Sequence, residues 1–482
     1  MIIFKGGHFM TEGLKWTVNE VPKSDDKHLE LMSEENVKKA NEFHRSFPQY
    51  SVTPLQNLSS LAKYLGVKNI FCKDESYRFG LNAFKVLGGS YAMGRYIAKE
   101  LGHDISELPY NVLSSDKLRE EFGQATFFTA TDGNHGRGVA WAAKRLGQKA
   151  VVRMPKGTTK TRFDNIAKEG ATVTIEEVNY DDCVRMAAAE AAKTEHGIIV
   201  QDTAWDGYEE IPSWIMQGYG TLVLEADQQL KEMGVERPTH VFVQAGVGSL
   251  AGAVVGYFAH KYKDNPPVMA VCEASAADCL YRSAVAKTGN LVNVTGDLQT
   301  IMAGLACGEG NTIGWDILKN HVDVFASCPD WMSAKATRIY ANPLGDDPHV
   351  VSGESGSVRA AGERAGHRRD AQCGLCVRGV IVDGGHVVDR LDDAFFFVVR
   401  GGVVAASAGR VVGFARVGLC PNRHVVLVPG HRIIDRLRGR LCHQLAILIE
   451  QLHLDRHIRI VEEREIHVDR RVIDRRRIIF VI

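Results

Sequence analysis

A lysine ends the run Phe79-Gly80-Leu81-Asn82-Ala83-Phe84-Lys85 and is followed by Val86-Leu87-Gly88-Gly89-Ser90. Further along stands an acid–amide turn, Thr131-Asp132-Gly133-Asn134-His135-Gly136-Arg137-Gly138. A glycine-rich turn, Gly246-Val247-Gly248-Ser249-Leu250-Ala251-Gly252, follows an apolar run. A lysine amine, with a reference pKa of about 10.4, is a poor nucleophile until it is desolvated or joined to a carbonyl. The apolar neighbours of Lys85 favour desolvation, and Gly88-Gly89 allow close approach. One amine, one acid–amide turn and one anion-sized glycine turn are the parts needed to hold an aldehyde cofactor bearing a phosphate. Pyridoxal phosphate is such a cofactor, and lysine forms its Schiff base.

Each motif also has a plainer reading. A lone lysine at a helix start is ordinarily solvated. Asp132-Gly133 is a common turn and Asn134 a common helix cap; as chemistry, Asp132 could act as acid or base, and Asn134 could bond a phenolate oxygen. The amides of Gly246, Val247, Gly248 and Ser249 could close on a phosphate at a helix N-terminus. The same turn fits the dinucleotide pattern G-x-G-x-x-A, and Glu273 ends the next expected strand where a ribose-binding acid would sit. A nicotinamide oxidoreductase is therefore a rival on this motif alone. Asp202, in Gln201-Asp202-Thr203-Ala204-Trp205, is a second carboxylate expected on the same rim as Asp132, or else a capping residue.

The elements that must position these groups alternate. Strands are expected at 69–73, 126–130, 150–154, 172–175, 198–201, 240–244 and 268–272. Helices are expected at 85–101 and 135–146, with more between the later strands. This alternation predicts an α/β fold of parallel sheets covered by helices, with ligands at the carboxyl ends of strands. The 482 residues suggest two or three domains, and 45% hydrophobic with 24% charged residues is ordinary for a globular enzyme. The formal charge is zero, so charge suggests no nucleic-acid partner. No apolar run reaches the roughly 18 residues of a membrane span, and the start lacks a signal-like apolar region. Met10 is a second candidate for the initiator. Ten cysteines include one Cys-x-x-Cys, Cys373 to Cys376, one pair short of a zinc site, so no metal is expected. The thiols read as reduced and the compartment as cytosolic.

After about residue 358 the composition changes. Lys, Thr, Tyr, Met and Trp all vanish, the last of each being Lys335, Thr337, Tyr340, Met332 and Trp331, and Arg, Val, His, Ile and Gly take over. An arginine-rich nucleic-acid arm is disfavoured by the interspersed Asp and Glu, and an extra domain is an alternative. Losing five residue types at once is a symptom of codon bias, so residues 359–482 are expected to be an out-of-frame product with no part in the native fold.

Taken together, the segments 79–85, 131–138, 180–182, 201–205, 211–219, 244–252, 301–309 and 352–356 resemble the diaminopropionate ammonia-lyases. These are a branch of the fold type II pyridoxal-phosphate enzymes, alongside threonine dehydratase and the tryptophan synthase β subunit. The resemblance covers about residues 30–358. It implies two open parallel sheets covered by helices: a discontinuous large cofactor domain (1–90 and 238–358) and a small domain (91–237). It implies that Lys85 carries the cofactor, Asn134 faces its ring oxygen and Gly246–Ser249 hold its phosphate. Asp132, where hydroxy-amino-acid dehydratases generally have Ser, would take the α-proton of the D-isomer and Asp202 that of the L-isomer. The reaction implied is removal of the β-amino group of 2,3-diaminopropionate, giving pyruvate and ammonia, in a cytoplasmic homodimer. A serine or threonine dehydratase, and an inactive relative with a disrupted C-terminus, are the alternatives. The family's late Ser-Thr-Glu-Gly-Asp motif, whose hydroxyl partners the pyridine nitrogen, has no match in 359–482.

Overall fold

Runs of apolar residues at strand length, flanked by amphipathic helices, fold into two sheets. The computed structural model describes residues 13–131 and 133–358; beyond them it describes only the strand segments 388–391, 394–399, 402–407, 410–415, 418–419, 425–427, 458–460 and 478–481. The larger sheet uses β1 (Lys15–Val18), β2 (Leu55–Asn57) and β3 (Asn69–Lys73). The smaller sheet is β4 (Thr126–Ala130), β5 (Lys149–Met154), β6 (Thr172–Ile175) and β7 (Gly197–Ile199). The chain then returns to the larger sheet with β8 (His240–Gln244), β9 (Val268–Ala274) and β10 (Val324–Cys328).

The smaller sheet has the order β6-β5-β4-β7 and is parallel throughout. The larger is ordered β1-β10-β9-β8, then Ile478–Val481, then β3-β2. Its inner pairs are parallel and its two edge pairs antiparallel. All five residues of β10 are buried, as expected of a parallel strand covered on both faces. The sequence reading missed β10, because Val324-Phe325-Ala326-Ser327-Cys328 mixes small polar residues into a run too short to show a period.

One finding departs from expectation. Residues 478–481 pair in parallel with both β3 and β8 and so occupy the slot between them. This part of the tail does join the sheet. Its local run, Ile478-Ile479-Phe480-Val481-Ile482, is a strong strand former, and a composition argument over the whole tail passes over such a short pattern. None of these five residues carries a hydroxyl. Elsewhere in the tail, four strands between 388 and 415 form an antiparallel sheet, and those at 418–419, 425–427 and 458–460 form a three-stranded one. They belong to a separate unit of the chain.

Three helices meet behind the site. The helix Lys85–Leu101 packs against Asn134–Arg145 on one side and the long helix Glu210–Glu232 on the other. Glycines set the separations. A Cβ on Gly218 would lie 2.5 Å from the Leu87 carbonyl oxygen, and one on Gly138 would lie 2.8 Å from Val86 Cα. These obstacles are backbone and cannot swing aside, so the contacts require glycine.

Candidate active site

The backbone approaches Lys85 through a constrained turn. Phe79, Gly80 and Asn82 all have left-handed φ, at 51°, 69° and 59°. Such values are costly for a buried phenylalanine and persist only where the surroundings impose them. A buried ionic cluster does so here. Arg78 bonds Glu75 at 2.8 Å and Glu225 at 2.7 Å, while Lys73 Nζ reaches Glu225 at 2.7 Å and the Thr53 carbonyl at 2.8 Å. Burial alone would raise the pKa of Glu225, but the Arg78 and Lys73 charges outweigh it and hold the carboxyl below its usual range. The cluster thus clamps the segment between β3 and Lys85 to the helix Glu210–Glu232.

Lys85 opens its helix and points its amine at Asp202. Lys85 Nζ and Asp202 Oδ2 form an ion pair. Asp202 follows β7 and is 2% exposed; its placement depends on neighbours that tie down the strand end. Gln201 Oε1 accepts from the Ala130 amide at 3.0 Å, Gln201 Nε2 donates to Tyr180 Oη at 2.6 Å, and Tyr208 Oη accepts from the Gln201 amide at 2.8 Å. Around the Asp202 carboxylate, Tyr219 Oη donates to Oδ2 at 3.3 Å and His135 Nδ1 lies 4.0 Å from the same oxygen. Burial opposes ionisation of Asp202, yet the Lys85 and His135 charges and the bonds from Lys85 and Tyr219 hold its carboxyl well below the usual range.

The glycine-rich turn meets the Asp202 segment here. Gly248, at φ 102°, precedes the helix Ser249–Lys261. The Ser249 hydroxyl donates to the Asp202 carbonyl and accepts from Asn311 Nδ2 at 2.7 Å. Lys85, Asn134, Asp202, Gly246, Val247, Gly248 and Ser249 line one cavity, whose further walls are Gly304–Leu305 and the segment 350–356. Ser355 Oγ accepts from the Gly304 amide at 3.1 Å and joins those two walls. Asp132, the remaining expected site residue, lies outside the described residues, as do Cys373 and Cys376. Among the described residues no cluster of His, Cys, Asp or Glu is arranged to hold a metal ion.

Sequence reasoning missed Tyr219, His135, Gln201 and Asn311 as parts of this site. His135, Gln201 and Tyr219 lay within quoted motifs and Asn311 outside them, and nothing local marks Tyr219 as a neighbour of Asp202 or Asn311 as a neighbour of Ser249. The reading of Glu273 as a ribose ligand is corrected. Its carboxylate is buried and accepts from the Leu280 and Tyr281 amides at 2.9 and 2.6 Å, capping the helix Cys279–Ala286. Those bonds consume the group a dinucleotide would need.

A model of the pyridoxal-phosphate dependent enzymes matches residues 47–374. The chain belongs to this family. It is 53% identical over 317 residues to the diaminopropionate ammonia-lyase of Salmonella typhimurium, which covers 66% of this chain and 78% of that protein. The enzyme of the same name from Escherichia coli K12 is 50% identical over 330 residues, covering 68% of this chain and 80% of that protein. The crystal structure of the Escherichia coli diaminopropionate ammonia-lyase in complex with D-serine superposes with a TM-score of 0.64 at 46% identity, covering 72% of this chain and 84% of that one. The resemblance and the fold type II architecture expected from the motifs are both borne out.

Pyridoxal phosphate is the cofactor of this family, and the residues present fit it. The cavity offers an amine at Lys85, an amide side chain at Asn134 and a glycine-rich turn at a helix N-terminus. A Cβ on Gly246 would lie 3.1 Å from the Gly304 carbonyl oxygen, so a side chain there would crowd the turn. Backbone amides at a helix start are the donors a phosphate needs.

Proposed function

We propose that this chain is a pyridoxal-phosphate-dependent ammonia-lyase that removes the β-amino group of 2,3-diaminopropionate, yielding pyruvate and ammonia. The observation that carries the reading is the convergence of Lys85, Asn134, Asp202 and the Gly246–Ser249 turn on one cavity. The two relatives of this name, each more than three-quarters covered, support it. When bound, the cofactor supplies an electron sink that eases loss of the α-proton. Lys85 would hold its aldehyde group, the amides of Gly246, Val247, Gly248 and Ser249 would hold its phosphate, and Asn134 would bond its ring oxygen. Asp202 Oδ2, beside the Lys85 amine, takes the α-proton of the L-isomer, and Asp132 that of the D-isomer. An ionised carboxylate in a water-poor site can both orient a substrate ammonium and accept a proton.

The large domain spans 1–90 and 238–358 and the small domain 91–237 in this reading, and the protein acts as a cytoplasmic homodimer. Among the described residues no helix is long and apolar enough to cross a membrane. The deciding experiment compares kcat/KM for pyruvate formation from diaminopropionate, serine and threonine. The diamine should be preferred, because carboxylates suit a second ammonium better than a hydroxyl. Faster turnover of serine or threonine would move the chain to the dehydratases.

A further inference from the structure

Asp202 is a buried carboxylate served by few donors, and one of them has no place in the reaction as described. Tyr219 is fully buried on the helix Glu210–Glu232, and its hydroxyl donates to Asp202 Oδ2 at 3.3 Å. The ring is held from two sides. It stands edge-on to Phe84, with centroids 5.0 Å apart at 74°. It also occupies the space left by Gly88, where a Cβ would come within 2.6 Å of Tyr219 Cε1. Phe84, just before the helix Lys85–Leu101, and Gly88, in its first turn, therefore fix where the Tyr219 hydroxyl points. Its position is a property of the packing and does not depend on Lys85.

Among the described residues, the groups facing Asp202 are Lys85, His135, Tyr219 and, more remotely, Tyr208. Lys85 cannot serve Asp202 constantly, since its nitrogen is also the group that holds the cofactor. His135 gives its Nε2–H to the Val200 carbonyl at 2.9 Å, and its Nδ1 stays at 4.0 Å from Asp202, beyond hydrogen-bond reach. Tyr208 Oη is engaged with the Ile199 carbonyl at 2.9 Å and the Gln201 amide. The Tyr219 hydroxyl is the donor whose bond to Asp202 survives a change in the state of Lys85. Burial, and then the Asp202 charge, push the Tyr219 phenol well above its ordinary value, so it remains a donor across the working pH range.

We propose that Tyr219 is a positioning residue that fixes the orientation and protonation of Asp202 during turnover of the L-isomer. The inference rests on the reading of Asp202 as the base for that isomer. It predicts an effect on one enantiomer through a residue that touches neither the substrate nor the cofactor. Removing the hydroxyl withdraws a hydrogen bond from the ionised carboxylate, which then holds its proton to higher pH.

The test uses full-length, cofactor-loaded protein and three variants: Tyr219→Phe, Asp202→Asn, and Tyr257→Phe as a matched control. Tyr257 is likewise fully buried and likewise donates to a buried carboxylate, Asp227 Oδ2 at 3.4 Å, away from the cavity. Carbon-13 NMR of labelled aspartate, without substrate, follows the Asp202 carboxyl, assigned by its loss in Asp202→Asn. In Tyr219→Phe its titration midpoint should rise by about one pH unit. The acid limb of kcat/KM for L-diaminopropionate should rise with it, and kcat for that isomer should fall about tenfold with KM little changed. The D-isomer profile should stay in place, and Tyr257→Phe should move neither readout. An unmoved midpoint in Tyr219→Phe, or an equal shift in Tyr257→Phe, overturns the inference. If Asp202→Asn retains L-isomer turnover, the reading of Asp202 as base fails and the assignment to Tyr219 falls with it. Loss of that turnover with an unmoved Tyr219→Phe midpoint overturns the assignment to Tyr219 alone.

Discussion

At the scale of single residues, the site is built around one amine and one buried carboxylate. Lys85→Ala should abolish both the visible absorbance of bound cofactor and pyruvate formation, because Lys85 is the amine aimed at the cavity beside Asp202. Borohydride reduction followed by peptide mapping checks the assignment, and a tag on another lysine would refute it. The two carboxylates should divide the stereochemistry, since the α-protons of enantiomers leave from opposite faces of a planar cofactor. Asp202→Asn should cost the L-isomer about 10²–10⁴-fold in kcat and the D-isomer much less, with the reverse for Asp132→Asn. Equal losses on both isomers in both variants would sink this division. The chemistry-bearing types, Lys85, Asn134 and Asp202, were legible because each lies in a short motif that follows an apolar strand, Lys85 and Asn134 at helix starts. The neighbours that set their state were not, because Tyr219 and Asn311 lie in ordinary helical surroundings and reach Asp202 and Ser249 only through packing.

At the scale of elements, the helix Lys85–Leu101 is the frame of the site. Its placement depends on glycine at the crossing with Glu210–Glu232. Gly218→Ala would put a Cβ 2.5 Å from the Leu87 carbonyl oxygen and 2.9 Å from Gly88 Cα. Overpacking against backbone costs about 1–3 kcal/mol, which calorimetry should register as a melting point lower by a few degrees. The same displacement moves Lys85 relative to Asp202, so cofactor retention should fall as well. A variant with unchanged melting temperature and cofactor content would show that the crossing tolerates a methyl group. Most of the strands positioning the site were readable as short apolar runs, including β3, β4 and β8 with their boundaries. The edge strands β1 and β2 were not, since they are short and only partly buried, so their patterns carry little contrast.

At the scale of the whole molecule, two features bear on stability. His44 is fully buried; its Nδ1 pairs with Thr221 Oγ1 at 2.8 Å and its Nε2 with the Leu87 carbonyl at 2.9 Å, joining three helices. Burial lowers its pKa to about 3 from 6.5. The unfolded chain therefore binds the proton first, and stability is full above about pH 6.5 and lost as pH falls from there toward 3. Denaturant midpoints between pH 7.5 and 5 should decline, and His44→Gln should be weaker at pH 7.5 with a flatter acid slope. An equal acid slope in both proteins would remove His44 as the cause. The second feature is the slot between β3 and β8. Deleting residues 476–482 withdraws a strand paired on both sides; at about 0.5–1.5 kcal/mol for each backbone bond lost, the cost is several kcal/mol. The truncated protein should be poorly soluble or markedly less stable, and unchanged behaviour would show that the slot needs no such strand. The rest of 359–482 we still read as out of frame. The nucleotide sequence around the Gly356 codon decides this, and a clean reading frame would refute it.

The sequence by itself determined the chemistry and the architecture. Amine, amide turn and phosphate-sized turn are contiguous patterns, and helix and strand periods repeat within a few residues, so both survive in a linear string. The tertiary structure alone decided how those patterns meet. Lys85 and Asp202 are 117 residues apart in sequence, and their pairing depends on two sheets and three helices packing at distances that glycines permit. It turned Glu273 from a candidate ligand into a helix cap, and it set Tyr219 against Asp202. It also placed Ile478–Val481 in the middle of a sheet whose other strands end at Cys328. The Lys85–Asp202 pair and the placing of Ile478–Val481 join segments remote in sequence, and the Glu273 and Tyr219 contacts join neighbouring elements; all are fixed by how the elements pack, and no local pattern records them.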